Sequence, residues 1–235
     1  MPNKEQLEKH VDDVLGISWD ERDGQVVPST DTVSLKDGAV KINATFLYAD
    51  LAATSSLTKL CPWETTAKII RAYLDCAVRI IRSWGGEVRS FDGDRVMGVF
   101  IGDMKNTNAT KCAREIFYLV EHILGPKAVS RFTSFQKNNI KLKNCVGIDV
   151  GDARAVRSGI RNSNDLIWIG KAPSFAAKLS DVRNYAHCVY ISKRSYDVLE
   201  KSAKIVNEKN IWTERPFSFA GATETVYSTH YTLTP

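Results

Sequence analysis

Two aspartates stand where strand-like hydrophobic runs of the sequence end. Asp50 closes the run ATFLYAD before the small polar stretch LAATSSL, and Asp94 lies in the turn of GGEVRSFDGDRVMGVF. Carboxylates at strand ends, beside backbone amides of small residues, are suited to hold two divalent cations over a polyphosphate. A plainer interpretation stays open, because Asp50 could simply end a strand and Asp-Gly-Asp is favourable turn chemistry.

The composition limits the classes of function. The chain has 235 residues, of which 43% are hydrophobic and 25% charged, as in ordinary globular proteins. Its apolar runs stay well short of the roughly 20 residues that span a membrane. The N-terminal stretch MPNKEQLEKHVDDVLG has no apolar signal core. We therefore expect a cytoplasmic protein without a membrane partner.

Cysteine, histidine and charge patterns exclude several kinds of site. The five cysteines are scattered among apolar neighbours, so we expect reduced core residues rather than zinc ligands or disulfides. The four histidines are far apart and lack metal-ligand spacing. A net charge of +5 suits a polyanionic small molecule as well as RNA. The basic patch of Lys137, Lys141 and Lys143 has no interleaved aromatic residues, which favours a solvated surface over a nucleic-acid partner.

The N-terminal part of the chain is predicted to be an extension. Residues 4–15 have the pattern of a short amphipathic helix, and the following stretch DERDGQVVPSTDTVSLKDGAV is rich in turn formers. Residues 1–40 could be an arm that pairs with a partner subunit, or could cover the core. Residues 41–235 then form the main domain.

Hydrophobic periodicity predicts the elements that must position the two aspartates. In the strand 42–49, the period of two places Tyr48 and Asp50 on one face. The predicted elements after it are a loop over 51–57, a helix over 62–83, a hairpin turning at Asp92-Gly93, a helix over 108–124 ended by Gly125-Pro126, strands over 142–150 and 153–157 around Gly151-Asp152, a strand over 164–170, a helix over 171–181, a strand over 188–192, a short helix from Ser192, and two closing edge strands.

This order predicts an α+β fold. The succession β-α-β-β-α-β matches a ferredoxin-like split βαβ sheet with helices on one face, and further strands follow towards the C-terminus. That topology places the end of the first strand beside the middle hairpin. We therefore expect Asp50 and Asp94 to face each other, although they are far apart in sequence.

Four segments together resemble the catalytic domain of the class III nucleotidyl cyclases. They are FLYADLAATSSL, WGGEVRSFDGDRVMGVF, VGIDVGDARAV and DLIWIGKAPSFAAKLSDV, and the resemblance spans roughly residues 42–232. It implies the class III cyclase fold for residues 41–235. It also implies that Asp50, Leu51 and Asp94 bind two Mg²⁺ or Mn²⁺ ions per site, while Thr54 and Ser55 lie in the loop that holds the phosphates.

The base-reading positions depart from the purine cyclases. Ser90 stands where a lysine or glutamate is usual, and Ile167 stands where an aspartate or cysteine is usual. Neither can read a purine edge in the usual way, and such contacts carry strong discrimination. Tyr48 and Arg95 would narrow the pocket. The chain therefore most resembles the pyrimidine cyclases of bacterial Pycsar anti-phage systems, which implies UTP or CTP as substrate, with UTP slightly favoured.

The resemblance also implies the remaining partners. The family's transition-state asparagine and arginine correspond to Ser174 and Lys178, which lie four residues apart and so on one helix face. Family sites form between two chains, which implies a homodimer with sites at the interface, and the cyclic UMP or cyclic CMP product activates a separate effector protein. The alternatives are a purine cyclase with divergent base readout, a degenerate nucleotide-binding signalling domain and, less favoured, a polymerase-like palm.

Overall fold

Hydrophobic runs separated by turn formers fold into a mixed α/β chain. The computed structural model describes residues 1–52, 54–183, 186 and 188–235. The helices are α1 (Lys4–Leu15), α2 (Thr54–Leu60), α3 (Trp63–Ser83), α4 (Lys105–Tyr118), α5 (Gly125–Arg131), α6 (Thr133–Lys137), α7 (Lys171–Ser180), α8 (Lys193–Asp197) and α9 (Lys201–Lys204). None of the helices within these ranges has the length and apolar character needed to cross a membrane.

The strands alternate with these helices along the chain. They are β1 (Asp20–Asp23), β2 (Gly38–Ala52), β3 (Glu87–Asp92), β4 (Arg95–Phe100), β5 (Lys143–Ile160), β6 (Ser163–Ile169), β7 (Val189–Ser192), β8 (Ile205–Val206), β9 (Lys209–Asn210), β10 (Thr213–Phe219) and β11 (Ala222–Thr229). The main sheet has the order β10-β11-β7-β5-β2-β4-β3. Within it, the order β5-β2-β4-β3 is the arrangement of a ferredoxin-like split βαβ unit, and the strands after β5 extend the sheet. The predicted fold class is confirmed.

By the contacts between its residues, the chain divides into two units. The smaller unit combines Met1–Ile42 with Ala153–Ile169, and the larger combines Asn43–Asp152 with Gly170–Pro235. In the smaller unit β1 runs parallel to the start of β2, and Arg154 forms an ion pair with Glu21. The predicted helix over 4–15 is confirmed as α1. A role of residues 1–40 as an arm stays a prediction.

The larger unit buries its apolar faces between helices and sheet. Tyr73 and Ile81 of α3, Ile116 of α4, and Leu47 and Ile148 of the sheet are fully buried in one cluster. Helix α3 buries one stripe against the sheet and keeps its other face exposed, whereas α4 also buries the polar residues Thr107, Thr110 and Arg114. This packing fixes the strands β2 and β4, which carry the candidate site.

Two predicted ends of elements are wrong. The helix predicted to stop at Gly125-Pro126 instead continues through the π-helical turn Leu119–Leu124 into α5. Pro126 lies in the first turn of α5, where a missing N–H costs little. The turn predicted at Gly151-Asp152 is absent from the described chain, where β5 runs unbroken. The Asp152 side chain instead accepts a hydrogen bond of 2.7 Å from Asn43 Nδ2.

Two further local predictions need correction. The stretch 51–57 is not a loop, since β2 extends to Ala52 and α2 begins at Thr54, while Ala53 lies outside the described residues. The closing segment β11 is not an edge strand, because it pairs with β10 on one side and with β7 on the other. Val226 and Ser228, which lie on one face of β11, are both buried, as expected for a strand inside a sheet.

Candidate active site

Asp50 and Asp94 are neighbours across one strand pair. Asp50 on β2 pairs with Arg95 on β4 in antiparallel register. Asp94 directly precedes β4, and its carbonyl oxygen accepts a hydrogen bond of 3.3 Å from the Leu51 amide. The structure therefore brings the two aspartates together, as the predicted topology requires. Their function as metal ligands stays a prediction.

The Asp50 carboxylate carries a charge that its surroundings only partly offset. Asp50 is 8% exposed. Burial raises its pKa from the ordinary 3.8 to about 6, the positive charge of Arg183 opposes this rise, and the nearby charge of Asp94 adds to it. Burial and the neighbouring carboxylate therefore outweigh the stabilisation that Arg183 gives to the charge of Asp50.

The oxygen atoms around this pair fit a hard divalent cation. The Thr54 hydroxyl is within hydrogen-bond distance of both the Leu51 carbonyl oxygen (2.8 Å) and Asp94 Oδ2. A hydroxyl has one hydrogen, so it satisfies one of these oxygens at a time. Mg²⁺ and Mn²⁺ prefer such oxygen ligands, and Mg²⁺ is commonly held by one or two carboxylates plus substrate phosphates. Among the described residues, no group of three or more metal-binding side chains occurs.

Tyr48, Ser90 and Arg95 lie on the same face of the sheet as Asp50. Tyr48 on β2 and Ser90 on β3 both pair with Met97 of β4, while Asp50 pairs with Arg95 of β4. Residues two apart along a strand, and residues opposite each other across strands, share a face. The register therefore places three of the predicted base-pocket residues next to the predicted metal ligands.

Arg95 is held over Tyr48 by two carboxylates. Its Nη2 lies 2.8 Å from Asp92 Oδ2, its Nη1 lies 3.2 Å from Asp181 Oδ1, and its guanidinium carbon lies 5.7 Å from the centroid of the Tyr48 ring. Burial raises the pKa of the Tyr48 phenol, and Arg95 opposes the rise. The phenol therefore keeps its proton at neutral pH and can donate it to an acceptor.

Ser174 and Lys178 lie on the exposed side of α7. Ser174 Oγ donates a hydrogen bond of 3.1 Å to the Gly170 carbonyl oxygen, and Lys178 Nζ lies 3.8 Å from Asp181 Oδ2. Phe175 on the opposite side of the helix is buried. The side chains of the two predicted transition-state residues therefore face away from the hydrophobic core of their own chain.

The remaining predicted residues have separate positions. Ile167 belongs to the smaller unit, where it lies on β6 opposite Val156 and is 45% exposed. Thr54 and Ser55 begin helix α2 instead of lying in a loop, and Ser55 is exposed. Amides in the first turn of a helix have no hydrogen-bond partner within the helix, and the contact of Thr54 and Ser55 with phosphate stays a prediction.

Two residues near the site, Asp181 and Arg183, follow α7 and were not predicted from the sequence. Asp181 forms ion pairs with Arg95 and Lys178. Arg183 forms an ion pair with Asp50, with 3.1 Å between Nη2 and Oδ1. Asp181 lies near the end of the segment DLIWIGKAPSFAAKLSDV, where its type and spacing carry no signal for a role in the site, and Arg183 follows that segment. Only the packing of α7 on the sheet brings the end of this helix to the end of β2.

The chain is similar to known proteins over most of its length. The chain is 41% identical over 92% of its length to a uridylate cyclase of Rhodovulum sp. (strain MB263), and covers 91% of that protein. It is 38% identical over 89% of its length to a uridylate cyclase of Xanthomonas perforans, and covers 89% of it. For a uridylate cyclase of Burkholderia cepacia the identity is 35%, over 88% of each chain. No protein-family model matches the chain.

Solved structures share the fold at low sequence identity. The adenylyl cyclase CyaB from P. aeruginosa superimposes with a TM-score of 0.66 at 17% identity, over 81% of this chain and 95% of that one. The guanylyl cyclase Cya2 superimposes with a TM-score of 0.68 at 15% identity, over 83% of this chain and 95% of that one. Since relatives that match over about nine tenths of this chain exceed 30% identity, and the fold is that of adenylyl and guanylyl cyclases, the chain belongs to the same family of nucleotidyl cyclases as these uridylate cyclases.

Proposed function

We propose that this protein converts UTP into 3′,5′-cyclic UMP and pyrophosphate. In this reaction the ribose 3′-oxygen forms a bond to the α-phosphorus, the bond from that phosphorus to the bridging oxygen breaks, and the 3′-hydroxyl proton is released to solvent. The observation that carries the proposal is the shared sheet face of Asp50, Arg95, Tyr48 and Ser90, with Asp94 adjacent. The relatives named uridylate cyclase support the same substrate.

The side chains of this protein would bind and orient a triphosphate that carries close to four negative charges. Asp50, Asp94 and the Leu51 carbonyl oxygen would hold Mg²⁺ or Mn²⁺. When bound, the two ions supply positive charge that favours ionisation of the 3′-hydroxyl and offsets the charge of the leaving phosphates. Thr54 would keep Asp94 in place through its hydroxyl.

The base pocket supports a pyrimidine. Tyr48 and Arg95 bring large side chains onto the face of Asp50, which leaves less room for a two-ring base. Ser90 is too short and Ile167 too apolar to read the edge of a purine. The Tyr48 phenol and the Arg95 guanidinium are hydrogen-bond donors, and the two carbonyl oxygens of uracil are acceptors.

We propose further that each site is completed by a second copy of the chain. Ser174 and Lys178 face outward on α7, where a second chain can present its aspartates to them. In the smaller unit, Ile160, Ile167 and Ile169 are 67%, 45% and 53% exposed. These isoleucines line an apolar groove of about 980 Å³. Contiguous apolar surface of this kind marks interaction sites more often than free surface.

Incubating the purified protein with each of the four nucleoside triphosphates and Mn²⁺ tests the substrate. We expect cyclic UMP as the main product, and expect Asp94→Ala to abolish turnover without changing the fold. Asp75→Ala, which removes an exposed carboxylate of α3, is the matched control and should keep full activity. Cyclic AMP or cyclic GMP as the main product would refute the pyrimidine assignment, and full activity of Asp94→Ala would refute the metal assignment.

Mixing two inactive variants tests the shared site. Asp94→Ala and Lys178→Ala damage opposite halves of a two-chain site, so each variant alone should be inactive. Random re-pairing makes about half of the dimers mixed, and each mixed dimer has one intact site, so the mixture should regain about a quarter of the wild-type activity. A mixture that re-pairs, as shown by differently tagged subunits, and yet stays inactive would place all these residues in one chain.

The product would act as a signal. We propose that cyclic UMP activates a separate effector protein in defence against phage, which rests on the resemblance of the sequence motifs to the Pycsar cyclases. Cyclic UMP in infected cells should rise in the wild type and stay at baseline in an Asp94→Ala strain. Equal levels in both strains would refute this role.

A further inference from the structure

Arg183 joins the end of α7 to the predicted metal ligand Asp50. Its Nη1 donates hydrogen bonds to the carbonyl oxygens of Ser180 at 2.8 Å and of Val182 at 3.3 Å. Its Nη2 donates to Asp50 Oδ1 at 3.1 Å. The guanidinium is therefore fixed on one side by the main chain and directed on the other at the carboxylate.

This contact supplies the positive charge that the Asp50 carboxylate otherwise lacks. The side chain of Asp50 is 11% exposed, so water does little to stabilise its charge, and the neighbouring Asp94 repels it. Arg95, the other arginine that influences Asp50, is already bound to Asp92 and Asp181. Arg183 thus serves as the direct counterion of Asp50 within the chain.

A divalent cation bound at Asp50 would share with Arg183 a carboxylate whose Oδ1 already accepts a hydrogen bond from the guanidinium. Mg²⁺ binds carboxylate oxygens at about 2.1 Å, and two positive groups on one small carboxylate repel each other. The Arg183 side chain is 42% exposed, so it has room to turn away into solvent when a cation arrives. Binding of the cation and binding of Arg183 to Asp50 are therefore mutually opposed.

We propose that Arg183 competes with the divalent cation for Asp50 and so sets the cation concentration at which the site fills. Arg183 is a positioning residue in this sense, because it acts on the metal through Asp50. The inference rests on the proposed metal site at Asp50 and adds a determinant of its affinity. It predicts that removing the arginine strengthens metal binding, whereas a damaged site would bind metal more weakly.

Titration of the full chain with Mn²⁺, followed by electron paramagnetic resonance without nucleotide, tests the proposal. Arg183→Gln should bind Mn²⁺ about tenfold more tightly than the wild type, the scale expected for loss of one charge-assisted contact to a partly exposed group. Arg183→Lys keeps the charge but not the forked donors of the guanidinium, so its affinity for Mn²⁺ should fall between those of the wild type and Arg183→Gln. Arg71→Gln, which removes an exposed arginine paired with Asp75, should leave the affinity unchanged.

Asp50→Asn separates failure of this inference from failure of the proposed function. If the wild type binds Mn²⁺ and Asp50→Asn does not, the metal site stands. An Arg183→Gln affinity equal to or weaker than that of the wild type then overturns the competition alone. If Asp50→Asn binds Mn²⁺ as well as the wild type does, the metal assignment and this inference are both refuted.

Discussion

Replacing Asp50 by asparagine should stabilise the metal-free protein, and more so at high pH. The pKa of Asp50 is raised from 3.8 to about 6 in the folded chain, which corresponds to a preference for the protonated form of about 3 kcal/mol. Because the folded state binds this proton more tightly than the unfolded chain, stability falls as the pH rises from about 4 to about 6. Asparagine resembles the protonated aspartate, and its amide oxygen can still accept a hydrogen bond from Arg183.

The linkage relation sets the size of the effect at each pH. Asp50→Asn should exceed the wild type in free energy of unfolding by about 1.5 kcal/mol at pH 5 and by about 3 kcal/mol at pH 8. Urea unfolding followed by tryptophan fluorescence, with a chelator to keep both proteins metal-free, measures the difference. Asp75→Asn is the control, because this exposed partner of Arg71 should change stability by less than about 0.5 kcal/mol at either pH.

Two results would refute the reasoning. The first is an Asp50→Asn variant that is less stable than the wild type at pH 8. The second is a difference between the two proteins that is the same at pH 5 and pH 8. Saturating Mn²⁺ should reverse the order, because only the wild type gains stability from a cation bound at Asp50.

Two further predictions concern the packing that positions the site. Arg194→Met should cost about 3–5 kcal/mol of unfolding free energy, because it leaves the fully buried Asp149 carboxylate without its ion-pair partner; a loss below 1 kcal/mol in urea unfolding would contradict this. Gly147→Ala should cost about 3 kcal/mol, because a methyl group there would overlap the Ala176 carbonyl oxygen of α7. Gly151→Ala has room for its methyl group and is the matched control, so equal losses at both glycines would contradict the steric argument.

Local patterns predicted the elements that carry the candidate site. The period of two through Tyr48 and Asp50 identified the strand, and Asp92-Gly93 identified the hairpin, because both signals depend on a few adjacent residues. Signals for breaks were less reliable. Gly125-Pro126 and Gly151-Asp152 are common turn formers, but the first pair begins α5 directly after a π-helical turn, and the second lies within β5.

The sequence by itself predicted most of the strands and helices, because periodicity and turn chemistry are properties of short segments. The split βαβ order of those elements predicted the approach of Asp50 to Asp94. The departure of Ser90 and Ile167 from the usual purine-reading residues is what the resemblance to the class III cyclases implies. Only the tertiary structure decided that Arg183 meets Asp50 and that Asp181 links Arg95 to Lys178. Such contacts join segments far apart in the chain, and they depend on how closely α7 packs on the sheet, which no local pattern encodes.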